Sequence, residues 1–175
     1  MSLTYRLAQL SDIPVLEDLI ALSTNTLQAA YYSPQQIAGA LGTVFGVDSQ
    51  LIHDGTYFVA ETGSITVACG GWSRRKTLYG GDQGKTGPDP LRDPRTEPAM
   101  IRAFFVHPDH ARQGIGRRIL QLCEDAARQA GFQRLEMIAT LAGEPLYHAC
   151  GYAVLERFDI PLPNGHRMPV VRMGK

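Results

Sequence analysis

Apolar residues alternate with polar ones at Leu3, Tyr5 and Leu7, the period-two pattern of a short strand. From residue 12 the spacing changes: Ile13, Leu16, Leu19, Ile20 and Leu22 recur every three or four positions. This predicts an amphipathic helix over 12–28, with Ser11 or Asp12 at its N-cap and Pro14 in its first turn. Ser33-Pro34 opens a second, short helix carrying Ile37 and Leu41. Gly55–Glu61 and Ile65–Trp72 read as strands joined by the hairpin signal Thr62-Gly63-Ser64. Met100–Val106 is a strongly apolar strand. Ile115, Ile119, Leu122, Cys123 and Ala126 then keep helical period over 114–130 until Gly131 ends it. A strand at Leu135–Ala139, a short helix at Glu144–Ala149 closed by Gly151, and strands near 153–160 and 168–173 complete the chain. The last two flank the turn Pro163-Asn164-Gly165. With no repeat and no linker, residues 1–175 are expected to form one α/β domain with a mixed sheet.

Residues 74–98 interrupt the pattern. They are rich in Gly, Pro and charge with almost nothing to bury, which predicts a long loop insertion of the kind that is usually functional or disordered.

Composition narrows the function classes. Of 175 residues, 44% are hydrophobic and 19% charged, the balance of a soluble globular protein. Lys plus Arg and Asp plus Glu are 17 each, so the net charge is zero and nucleic acid is not an expected partner. No apolar run approaches membrane-spanning length, so no membrane partner is expected. The first residues lack a signal-peptide pattern. Cys69, Cys123 and Cys150 are odd in number and widely spaced, which suggests neither a disulfide framework nor a thiolate zinc site; a cytoplasmic location follows as the expectation.

The candidate chemistry lies in Phe104-Phe105-Val106-His107-Pro108-Asp109-His110-Ala111-Arg112-Gln113-Gly114-Ile115-Gly116-Arg117-Arg118. A buried strand ends at Pro108, and a helix opens on two glycines between basic residues. A helix start presents unpaired N–H groups and the positive end of the helix dipole. Glycines let an anion approach that backbone, and Arg112, Arg117 and Arg118 add charge at the rim. The bland alternative is an ordinary tight strand-to-helix turn. A dinucleotide fingerprint fails because Ile119 stands where its third glycine belongs. Gly80-Gly81-Asp82-Gln83-Gly84-Lys85-Thr86 is like a nucleotide-binding P-loop, but its spacing is one residue short and Gly87-Pro88 follows where a helix should begin.

VHPDHARQGIGRRIL resembles the cofactor-binding motif of the GNAT N-acetyltransferases, written [RQ]-x-x-G-x-[GA] after a strand ending in V-x-P. Gly114 and Gly116 take the two small positions, and Ala111 replaces the usual Arg or Gln. Leu146-Tyr147-His148-Ala149-Cys150-Gly151-Tyr152 is similar to that family's FYxxxGF segment, and the order of elements matches over nearly the whole chain. The resemblance implies a mostly antiparallel, six- to seven-stranded mixed sheet flanked by helices and splayed between the fourth and fifth strands. It implies acetyl-CoA as co-substrate and direct attack by a primary amine in a ternary complex. Phe104, Phe105 and Val106 would line the cofactor arm, and Arg112, Gln113, Gly114, Ile115, Gly116 and Arg117 would hold the pyrophosphate. Tyr147 would give a proton to the departing thiolate; otherwise it is a core aromatic. Thr140 stands where the family often has Asn.

No carboxylate occupies a diagnostic position for a general base; Glu97, His107 and His110 are candidates beside water-relayed deprotonation. His107 and His110 lack a third ligand, so no metal is expected. For the acceptor, a small-molecule or peptide amine, Tyr31 and Trp72 are the candidate contacts, and Arg74, Arg75 and Lys76 are either a basic rim favouring a carboxylate-bearing amine or a solvated loop. A homodimer is an expectation from similar proteins. The alternative functions are a non-catalytic coenzyme A-binding regulatory module and, disfavoured by neutral charge, an acetyltransferase acting on charged tRNA.

Overall fold

The computed structural model describes residues 2–175. In chain order the elements are β1 (Leu3–Leu7), α1 (Ile13–Leu27), α2 (Pro34–Ala40), α3 (Ser49–His53), β2 (Tyr57–Thr62), β3 (Ile65–Ser73), β4 (Ala99–Val106), α4 (Ile115–Gln129), β5 (Leu135–Ala139), α5 (Glu144–Ala149), β6 (Ala153–Pro161) and β7 (Arg167–Gly174). Seven strands make one sheet in the order β1-β2-β3-β4-β5-β7-β6. All neighbours are antiparallel except β4 and β5.

Local chemistry accounts for the helix ends. Ser33 and Gln36 form a reciprocal capping box at the start of α2, with Pro34 in its first turn. Asp12 caps α1 by position only: its carboxylate instead accepts the Gln9 N–H at 2.7 Å and holds Arg6 at 2.8 and 3.0 Å. The five-residue α3 carries no readable period, since Leu51 and Ile52 alone cannot show one. Its one local sign is Asp48, whose side chain accepts the Gln50 N–H at 3.1 Å.

The core has two halves, one on each face of the sheet. Leu16, Leu19 and Ile20 of α1 pack with Ile37, Leu51, Val59 and Phe105 on one side. Ile119, Leu120, Cys123 and Ala127 of α4 pack with Trp72, Met137 and Tyr152 on the other. The α4 face is thus core, and each fully buried aliphatic chain contributes about 1.5–3 kcal/mol over exposure.

One pairing is incomplete. β4 and β5 register only at Ala99↔Leu135 and Met100↔Glu136, then part. On its other side β4 carries a bulge: Ala103 and Phe104 stand opposite Gly70 alone, between the Cys69↔Phe105 and Gly71↔Arg102 pairs. Ala103 has φ +57°, in the left-handed region. Its carbonyl accepts a hydrogen bond at 3.0 Å from the buried Tyr57 hydroxyl, which holds the bulge in place.

Residues 74–98 contain no helix or strand, and they fold back as a strap. Arg75 grips Asp54 through two hydrogen bonds, at 2.8 and 2.9 Å, and donates to the Asp89 carbonyl. Gly81 and Asp82 donate to the carbonyls of Thr43 and Val47, and Lys85 reaches Asp48 at 2.6 Å. The P-loop-like segment is therefore a structural clasp whose lysine neutralises a carboxylate. The Arg75 guanidinium holds the Asp54 carboxyl below its ordinary range. That contribution is full above the ordinary carboxylate pKa of about 4 and is lost as pH falls through the lowered folded value. Asp54→Asn is expected to loosen the strap at neutral pH, read as faster tryptic cleavage between residues 74 and 98 with the rest of the chain intact.

Candidate active site

The helix start comes first. β4 ends at Val106, a single 3-10 turn spans Pro108–His110, and Gly114 caps α4 with φ +81° and no side-chain cap. Only glycine takes that conformation freely, and any side chain there would be strained. Arg112 also sits at φ +64°. Alternating left-handed residues at a loop turn successive N–H groups to one side, the geometry of an anion nest. The Gly114 carbonyl accepts the Arg118 N–H at 3.0 Å, which leaves the first N–H groups of α4 open. Arg112 and Arg117 are exposed, without a salt bridge among the described residues, and Arg118 bonds Gln121. Gln113 turns its amide back to the Asp109 carbonyl, so its side chain braces the turn.

Beyond Met100 the edge of β4 that faces β5 has no ladder, and a cleft opens there. It encloses about 710 Å³ including its mouth. Phe104 and Phe105 line it, whereas Val106 lies beneath the helix start, next to Gly116. Phe105 is buried and packs its ring edge-on to Phe45 at 5.9 Å, so its side chain also belongs to the core. Phe104 is half-buried and meets the Tyr147 ring edge-on at 6.2 Å.

Tyr147 projects from α5 into the same cleft. Its ring rests against Phe104 and Tyr152, and Tyr152 is itself tied to Glu124 at 3.0 Å. Among the described residues the Tyr147 hydroxyl has no hydrogen-bond partner. Burial pushes its pKa well above the ordinary value, because the phenolate would be desolvated. It therefore stays protonated. Close approach sets its position: a Cβ on Gly143 would stand 2.9 Å from the Tyr147 ring. Gly143→Ala is expected to displace the ring and cost about 1–3 kcal/mol, measurable as a lower denaturation midpoint with reduced turnover. Thr140 takes no free position: its hydroxyl accepts from the Gln28 amide at 3.3 Å and the Gly143 N–H at 3.1 Å.

Other expected positions lie elsewhere. Trp72 is 3% exposed, packs on Phe132 under α4 and has Arg74 over its face, so it belongs to the core and not to an acceptor cleft. Strand alternation explains this, since residues 68 and 72 of β3 point to the α4 side. Tyr31 is 48% exposed on the turn before α2 and does not line the cleft. Its neighbour Tyr32 points inward, donating to the Pro169 carbonyl at 2.7 Å and accepting from the Leu141 N–H at 2.9 Å. The basic rim is spent internally: Arg75 on Asp54, Lys76 on Glu97 at 3.7 Å, Arg74 on Trp72. Glu97 also accepts the Asp93 N–H, away from the cleft. His107 accepts the Asp109 N–H and meets the His110 ring edge-on beside the helix start, outside the cleft lining.

Sequence reasoning missed Gln28, Tyr79 and Arg102, which all line the cleft. For Arg102 a signal was present: a charged residue in the middle of the apolar run MIRAFFV is rare unless it is paired. It is 4% exposed and bonds Asp48 at 3.1 Å and the Gly80 carbonyl at 2.6 Å.

A splayed mixed sheet, with an open helix start at the end of the fourth strand, is the fold of solved N-acetyltransferases. The acetyltransferase (GNAT) family model matches residues 24–152, and the chain belongs to that family. It is an acyl-CoA-dependent acetyltransferase. Among solved structures it is similar to a GCN5-related N-acetyltransferase from Rhodopseudomonas palustris, with TM-score 0.74, 17% identity, and coverage of 100% of this chain and 96% of that one. It is also similar to the PaiA N-acetyltransferase of Thermoplasma acidophilum in complex with coenzyme A, at TM-score 0.67 and 13% identity, covering 100% and 99% of the two chains. A third is YncA of Salmonella typhimurium, a putative acetyltransferase with acetyl-CoA, at TM-score 0.66 and 16% identity, covering 100% and 94%. No curated protein sequence matches the chain.

Proposed function

We propose that the protein moves the acetyl group of acetyl-CoA to a primary amine by direct attack in a ternary complex. One observation carries this reading: the protonated Tyr147 lines the cleft where β4 and β5 have parted, and the same strand β4 leads on to the open N-terminus of α4. The residues present fit the cofactor. Arg112, Gly114, Ile115, Gly116 and Arg117 would hold its pyrophosphate through backbone N–H groups and rim charge, with Gln113 bracing the loop. The unladdered edge of β4 at Phe104, Phe105 and Val106 would bind the pantetheine arm by its main chain. A backbone N–H of that edge would polarise the acetyl carbonyl as negative charge develops on its oxygen.

The amine must be neutral to attack, and an ordinary lysine-like amine has a pKa near 10.4. No carboxylate or imidazole lines the cleft among the described residues, so we assign deprotonation to water relayed to solvent. As the tetrahedral intermediate collapses, the carbon–sulfur bond breaks and Tyr147 protonates the thiolate. We also read the protein as cytoplasmic, because Cys69, Cys123 and Cys150 are all free. We read it as a homodimer on the strength of the exposed Val154 and Leu155 along the edge strand β6. The amine acceptor is a small molecule or peptide; the neutral net charge gives no support to nucleic acid.

The test offers acetyl-CoA with a panel of amines and follows free thiol. Thiol release that depends on the amine supports the proposal. Coenzyme A binding without release for any amine would instead mark a non-catalytic binding module.

A further inference from the structure

Arg102 sits in the cleft wall with half of its guanidinium unused. Nη2 is shared between the Asp48 carboxylate at 3.1 Å and the Gly80 carbonyl at 2.6 Å. Nη1 is fully buried and has no hydrogen-bond partner among the described residues. A buried donor of this kind is costly to leave empty, so its natural complement is an acceptor brought by a ligand. Among the described residues Asp48, 2% exposed, is the one carboxylate in contact with Arg102 and it is shared with Lys85, while Asp89 acts on Arg102 without touching it. The other walls are largely apolar: Phe45, Ile138, Ile160 and Val170. On the same cleft the Gln28 amide oxygen is also buried and unpartnered.

We infer that the acceptor is an amino acid-like amine with an apolar body, whose carboxylate docks on Arg102 Nη1. The unbonded Nη1 offers a donor to one carboxylate oxygen, and charge-assisted bonds to a carboxylate are the strong ones. This rests on the acetyl-transfer reading above, and it replaces the surface arginines of the strap with a buried one as the source of specificity.

The experiment uses matched ligands on the intact protein. Leucine, methionine and phenylalanine are each compared with their amides and with the corresponding decarboxylated amines. Two readouts are taken: calorimetric binding to the coenzyme A-loaded protein, and acetyl-CoA-dependent thiol release. For at least one series the acid is expected to exceed its amide by at least about 100-fold in kcat/KM, since a site built around a ligand group rejects analogues lacking it. Arg102→Lys, which keeps the charge but loses the planar fork, is expected to bring that acid down to the level of its amide. If acids and amides bind and react equally in the wild type, the Arg102 assignment is overturned even though acetyl transfer stands. Should acids bind selectively with no thiol released for any amine, the carboxylate site stands and the transfer reading falls. Because the ligand pairs are read on the wild type, the inference stays falsifiable if Arg102→Lys does not fold.

Discussion

Tyr147→Phe is expected to lower kcat by about 100-fold or more while leaving acetyl-CoA affinity within about two-fold. The substitution removes one oxygen that has no bond to lose among the described residues. The ring keeps its edge contacts with Phe104 and Tyr152, so packing should hold. What disappears is a proton in the cleft. Burial keeps that proton on the phenol throughout the neutral range, so the wild type should show no loss of activity from Tyr147 ionisation below pH ~10. Equilibrium binding and thiol-release kinetics separate the cases. A drop in kcat alone marks an acid in the transition state, whereas a parallel loss of binding and thermal stability would show that Tyr147 is a packing residue and nothing more.

Gly116→Trp is expected to abolish acetyl-CoA binding without unfolding the protein. Gly116 is buried in the first turn of α4, two residues past the left-handed Gly114. A Cβ there would stand 3.3 Å from the Leu146 side chain and 3.8 Å from Val106, so alanine needs only a small movement of a flexible leucine tip. An indole cannot be absorbed inward and must project across the open N–H groups. Overpacking costs about 1–3 kcal/mol of stability, which the fold can survive; the loss of binding comes from the indole covering the N–H groups that would hold the pyrophosphate. Calorimetry with coenzyme A reads the effect, and Gly116→Ala with near-normal binding is the control. If Gly116→Trp binds coenzyme A normally with its fold intact, the pyrophosphate lies elsewhere.

The strand-to-helix turn proposed to hold the cofactor was legible as a turn because it is written in adjacent residues. Gly114, Gly116 and the strand before them form one local turn, and their backbone geometry follows from residue type. Tyr147 was singled out by its spacing from Gly151, and it lines the cleft. The helices and strands were readable wherever an apolar period ran for two turns or more, and α3 was lost because five residues cannot carry one. The other end of the cleft depends on where distant segments meet. Trp72 looked available because nothing in ITVACGGW says which sheet face lies under α4. Tyr31 and Tyr32 are interchangeable in sequence, and the course of the turn between α1 and α2 decides that Tyr32 faces inward. Arg75 read as a rim or loop charge and Lys85 as part of a P-loop-like segment, but the strap brings them to Asp54 and Asp48, carboxylates 21 and 37 positions away. Arg102 could have been flagged as a charge inside an apolar strand, but its partners lie across the fold.

The parting of β4 and β5 after two pairs also sets a limit on how robust this enzyme can become. A continuous ladder from Ile101 onward would add backbone hydrogen bonds and close the cleft, so the same change would stiffen the sheet and remove the opening proposed to hold the reactants. Heat resistance and turnover are therefore opposed at this seam. Variants selected for thermal survival alone should accumulate changes that zip it shut, while variants selected for activity should leave it open and draw their added stability from the two cores on either face.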